Sequence, residues 1–115
     1  MIIKLDPIYK GRNYTIDFAL KDHITKQPFE LDSGDVIRIA FKQSSKSSSY
    51  LLSAVLSAGE AAGEFYVSFP DTETNTLPEG IIYWDLSLLH DGDCYPIIPV
   101  QSVEVINSIF KRSVL

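Results

Sequence analysis

A chain of 115 residues, 45% hydrophobic and 22% charged, is long enough to bury a core without disulfides or metals and has the composition of a soluble globular domain. A net charge of −5, with no basic cluster larger than Lys111-Arg112, argues against a nucleic-acid partner, which needs a basic face to neutralise phosphates. The single Cys94 excludes an internal disulfide and a cysteine-rich zinc site, and no apolar run approaches the roughly 18 residues of a membrane span.

The N-terminal M-I-I-K-L-D-P meets an acid and a proline within seven residues, so it does not read as a secretory signal. The expectation is one domain over residues 1–115, made in a reducing cytosol, that leaves a cell only by lysis or within an assembly. Met1 to Leu5 is a short strand candidate stopped by Asp6-Pro7, and Ile8 to Gly11 reads as a connection. Asn13 to Lys21 alternates as a half-buried strand with Tyr14, Ile16, Phe18 and Leu20 facing in. The polar run Asp22 to Pro28 is a loop, after which Phe29 and Leu31 anchor the returning chain.

Asp32-Ser33-Gly34-Asp35 is a tight turn by composition, and Val36 to Lys42 follows as a strand with Ile37, Ile39 and Phe41 inward and Arg38 and Lys42 outward. The serine-rich tract of residues 43–49 buries too little to offset its ordering entropy and is expected to be a mobile loop. Tyr50 to Ser57 fits both helical and strand periods, and its β-rich neighbourhood favours a strand. After a wide turn over Ala58 to Gly63, Glu64 to Phe69 alternates again, with Phe65, Val67 and Phe69 on one face. Pro70 ends it, and Asp71 to Leu77 reads as one helical turn capped by Asp71, with Glu73 placed well for the helix dipole.

Pro78-Glu79-Gly80 is a turn opening onto I-I-Y-W-D-L-S-L-L-H, which holds the only tryptophan. Ile82, Trp84, Leu86 and Leu88 fall on one side of a strand expected to be central in its sheet. Asp91-Gly92 between apolar runs is a strong hairpin signal, and Tyr95 to Ile106 pairs back as the last strand. Pro96 and Pro99 imply that its early part is irregular or lies at a sheet edge. Residues 107–115 form a tail. Seven to eight short strands at spacings of about 8–12 residues, without long helical patterns between them, describe an all-β antiparallel sandwich of immunoglobulin-like shape. Its core is expected to include Phe18, Phe41, Phe65, Trp84 and Leu86.

The chemistry-bearing residues make no recognised machinery. His90-Asp91-Gly92-Asp93-Cys94 gathers reactive side chains but lacks zinc or calcium spacing and reads as a hairpin tip. His23 sits in a polar loop, and no serine lies in a nucleophile-elbow pattern. Asp71, Glu73 and Asp85 make an unconvincing glycosidase pair in so small a sandwich. Asp85 is unusual mid-strand: either its face meets water, the preferred reading, or it pairs with Arg38 or Lys42 across the sheet. No glycine pattern makes a phosphate cradle, and no basic residues interleave with the aromatics as an RNA-stacking sheet requires. No catalytic residue, cofactor or metal is assigned.

One resemblance spans Tyr14 to Val105. Y-T-I-D-F-A-L-K-D, a loop ending Q-P-F-E-L-D-S-G, then D-V-I-R-I-A-F-K, V-S-F-P-D-T-E-T-N-T-L-P-E-G and I-Y-W-D-L-S-L-L-H-D-G-D follow in order. This resembles the immunoglobulin-like sandwich domains of tailed-bacteriophage tail and baseplate proteins, including the N-terminal domains of baseplate upper proteins. The loop at His23 to Leu31 departs from that pattern, lacking its usual glycine and carrying Glu30 for aspartate. The resemblance implies a non-enzymatic virion component that docks in a symmetric ring or trimer with other structural proteins, without nucleic acid or membrane. Expected contact elements are residues 44–49, the early apolar residues Ile2, Ile3 and Leu5, and the tail residues Phe110, Val114 and Leu115, though these termini serve equally well as covers for the sandwich ends. The alternative is a carbohydrate- or receptor-binding module in which Tyr66, Tyr83 and Tyr95 line a shallow polar face.

Overall fold

The alternating stretches become strands because one row of β-branched and aromatic side chains must leave water while the other meets it. The computed structural model describes residues 4–107. The elements in chain order are β1 (Ile8–Tyr9), β2 (Tyr14–Ala19), β3 (Val36–Lys42), β4 (Leu52–Val55), β5 (Ser57–Ala58), β6 (Glu64–Phe69), α1 (Asp71–Thr74), β7 (Gly80–His90) and β8 (Asp93–Ile106). They form two sheets, ordered β1-β8-β7-β3-β4 and β2-β6-β5. This all-β sandwich has the strand order of an immunoglobulin domain, with β7 in the middle of the larger sheet.

Trp84, Phe41, Ile37, Ile39 and Leu86 are buried to 1% exposure or less, and Phe18 and Phe65 lie in the same core. Two aromatic pairs fasten the sheets together. Phe18 of β2 meets Trp84 of β7 at 6.0 Å between ring centroids, and Phe69 of β6 meets Phe41 of β3 edge-on at 5.6 Å. These contacts place β2 opposite β7 and β6 opposite β3. Phe29 and Leu31 are half-buried against the core.

Several expectations are corrected. Ile8–Tyr9 is not a plain connection: it is a two-residue strand running parallel to β8, with Ile8 opposite Val105 and Tyr9 opposite Ile106, so the sandwich is not wholly antiparallel. Lys4 and Leu5 are not in a strand, and residues 1–3 of that expected strand lie outside the described residues. The stretch from Tyr50 to Ser57 is not one strand. It pairs as β4 with β3 in the larger sheet, passes through buried Leu56, and continues as β5 beside β6 in the smaller one. Two half-satisfied periods in the sequence correspond to this change of sheet.

The helical turn is present, but Asp71 is not its cap. Pro70 occupies the N-cap position and offers no side-chain bond. Instead, the Asp71 N–H donates to Asn13 Oδ1 at 2.9 Å, and the Thr74 hydroxyl donates to the Arg12 carbonyl at 2.7 Å. A loop residue 58 positions away in sequence thus takes the capping role. The Asp91-Gly92 tip has positive φ at both residues, 49° and 81°, as a two-residue type I′ hairpin requires. Prolines 96 and 99 sit where β8 loses register with β7, around Trp84, Leu86 and Ser87. Most of that stretch is also a sheet edge, because β1 covers only Val105 and Ile106.

Candidate functional site

The hairpin tip and the Asp32–Asp35 turn meet because the β3–β7 ladder ends at Val36 opposite Leu89, which brings Asp35 beside His90 one step further on. His90 Nδ1 lies 2.6 Å from Asp35 Oδ1, and Nε2 lies 3.2 Å from Asp91 Oδ2. The Nδ1 contact is a hydrogen bond, whereas Asp91 acts on the ring through its charge, so both carboxylates favour the protonated imidazolium. The bond to Asp35, then the charges of Asp35 and Asp91, hold the His90 pKa above its ordinary value of 6.5. Cys94 is exposed, and the contacts of His90 are to Asp35 and Asp91 rather than to Asp93 or Cys94.

Asp32, Asp35 and His90 also present oxygen and nitrogen atoms within 4.8 Å of one another. At 2.6 Å, Asp35 and His90 are already bonded to each other, and two ligands of one cation would stand further apart. The arrangement is therefore assigned as an ion pair that pins two turns.

A second cluster lies on the outer face of the larger sheet. Arg38 donates from a terminal guanidinium nitrogen to the Tyr50 hydroxyl at 3.1 Å and sits 5.1 Å from its ring centroid, while Lys42 Nζ lies 5.5 Å from the same ring. Lys42 also reaches Asp85 at 3.7 Å. The preferred reading of Asp85 as a water-facing acid is thus corrected: its side chain is 22% exposed and paired across the sheet. Among the described residues, Trp84 Nε1 is buried with no hydrogen-bond partner, at a cost of about 1–3 kcal/mol. Packing of the ring outweighs it.

A third feature is the loop after β2. The Asp22 carboxylate accepts from the N–H of Ile24 at 2.8 Å and of Thr25 at 3.0 Å, and the Thr25 bond first, then that of Ile24, lowers its pKa. The loop presents Ile24 at 86% exposure and leaves His23 in solvent.

Of the expected contact residues, Leu5 is half-buried against the core and lines a groove of about 750 Å³ with Ile81 and Glu104. Ile2, Ile3, Phe110, Val114 and Leu115 lie outside the described residues. The serine tract carries a turn, with Ser47 N–H donating to the Ser44 carbonyl at 3.1 Å and Ser49 N–H to Ser47 Oγ at 3.2 Å. The three tyrosines do not share a face. Tyr66 pairs with Asp17 and Ser57 on the outside of the smaller sheet, Tyr83 lies on the outside of the larger sheet, and Tyr95 stands near the hairpin tip against His90. The sequence reading missed Asp35, Asn13 and Tyr50, whose partners are visible only once strand pairing is known. No family model matches the chain, and no curated protein matches it.

Proposed function

We propose that the protein is a non-enzymatic structural component of a tailed-bacteriophage virion, a tail, baseplate, adaptor or head-decoration protein acting through protein–protein contacts in a symmetric assembly. The observation that carries this reading is the position of Gly80–His90. The stretch on which the phage resemblance mainly rests is the central strand of a sandwich with immunoglobulin strand order. The reactive side chains support it too, since His90 and Asp85 are engaged in structural ion pairs. Other virion proteins, and copies of the chain itself, are the partners of this reading.

Mass spectrometry of gradient-purified phage particles tests the proposal. The expected result is the chain at a fixed copy number, retained through high-salt washing. Its absence from particles, together with a monomer that binds no particle protein, would reject the proposal. Glycan binding on an array, mapped to Tyr66, Tyr83 or Tyr95, would replace it with the receptor-module alternative.

A further inference from the structure

Open sheets end in edge strands whose unpaired N–H and C=O groups template further pairing unless they are short, bulged, charged or proline-blocked. The edges here are guarded unequally. β1 and β5 have two residues each and β4 has four. The long flank of β8 lacks an N–H at Pro96 and Pro99 and breaks register there. β2 is different: six residues run in unbroken register from Tyr14 opposite Phe69 to Ala19 opposite Glu64, with no proline and no bulge. Its other side has no paired strand among the described residues.

The backbone direction along that edge follows from one bond. Leu20 donates its N–H to the Gly63 carbonyl at 2.8 Å, one step beyond the last β2–β6 pair. Alternation therefore turns the amides of Ile16 and Phe18 toward β6, and those of Thr15, Asp17 and Ala19 toward the open edge. A strand laid there would also find apolar surface beneath it. Because β2 stands opposite β7, a fourth strand beside β2 would stand opposite β8, where Tyr95, on the inward face opposite Leu88, is 48% exposed. On the outer face, the charged side chains of the β2–β6 ladder are Asp17 and Glu64, with Thr15, Ala19, Tyr66 and Ser68 between them.

We propose that the β2 edge accepts an extended segment of a partner chain as a fourth strand, one in which apolar residues alternate with lysine or arginine. The apolar row covers Tyr95 of β8, the side chains of the basic row stand beside Asp17, and the backbone of Thr15, Asp17 and Ala19 completes the ladder. A second copy pairing β2 against β2 is disfavoured, since it brings two Asp17 carboxylates onto one outer face. The inference stands on the edges alone and holds whether or not the partner is a virion component.

The test is an amide NMR titration of the full chain with two synthetic peptides, one alternating valine with lysine and one alternating valine with glutamate. The lysine peptide is expected to shift and protect the amides of Thr15, Asp17 and Ala19. D17K should weaken that binding about five-fold and favour the glutamate peptide, as cross-strand charge pairing requires. D17P removes an edge donor and should abolish binding of both; D17K keeps every donor and carries the test if the proline variant does not fold. The proposal is overturned if the β2 amides stay unmoved at saturating peptide or if shifts centre on β4 or β8. Indifference of binding to D17K, or self-association of the free chain through β2, would also overturn it.

Discussion

β7 has two neighbours and is held by them in different ways. Toward β3 it pairs without interruption from Val36–Leu89 to Lys42–Tyr83, and the inward residues Ile37, Ile39, Phe41, Ile82, Trp84 and Leu86 are almost fully buried, with Leu88 half-buried near the end. Toward β8 it pairs from Gly80 to Trp84, slips on either side of the Leu86–Ile98 pair around Pro99 and Pro96, and resumes from Ser87 to His90, while Tyr95 and Val100 stay exposed. The first ladder is a product of alternation and burial, and the second is shaped by where donors are missing. Stability should therefore concentrate on the β3 side, while the β8 side sets the shape of the rim.

The largest expected effect is at the hinge of this comparison. Trp84→Ala should lower unfolding free energy by about 3–5 kcal/mol, read by urea denaturation followed by circular dichroism, since the ring contacts Phe18 across the sandwich. The next test separates the two sides. Ile39→Ala on β3 should cost about 2–4 kcal/mol, whereas Val100→Ala on β8 should stay within about 0.5 kcal/mol. Comparable costs at both positions would break the contrast. Pro99→Ala should cost less still in contacts and at most about 1 kcal/mol in all, through the freer unfolded chain.

The smallest effect is electrostatic, at the end where the ladder stops. The folded pKa of His90 is raised above 6.5 chiefly by its bond to Asp35. The stabilisation is thus fully present below 6.5 and lost as pH rises through the higher folded value. The melting temperature of the native chain should fall across that window relative to His90→Gln, whose profile should be flat there. His90 is exposed enough for salt to reduce the difference. Parallel profiles would remove the protonated pin.

Legibility in the sequence follows the same contrast. β3 and β6 have the bounds that period-2 alternation predicts, and the Asp91-Gly92 turn is where dipeptide chemistry puts it. Ile8–Tyr9 escaped because two residues have no period, and its partner Val105 lies at the far end of the chain. The passage through Leu56 from one sheet to the other looked like a helix–strand ambiguity, since nothing local says which sheet a strand joins. The Asp35–His90 pair and the Asn13 cap needed three-dimensional register before their partners could be named, and for Asp85, whose alternative partners Arg38 and Lys42 were legible, register was needed to select Lys42 over a water-facing side chain. The candidate site was less legible than the fold for this reason: turn and core preferences are local, while ion pairs across a sheet are not.

The parallel pairing of β1 with β8 has a mechanical consequence. β1 lies near the N-terminal end of the described chain and β8 near its C-terminal end, side by side and pointing the same way. Tension between those ends pulls the two strands in opposite directions along their common axis. The contacts at Ile8–Val105 and Tyr9–Ile106, with the bond from Lys10 N–H to the Ile106 carbonyl, are then loaded together in shear and do not unzip one at a time. Buried Ile8 and Val105 keep water from that junction. Ile8, Tyr9 and Lys10 on one side and Val105 and Ile106 on the other thus form a latch whose failure under load requires its bonds to part together.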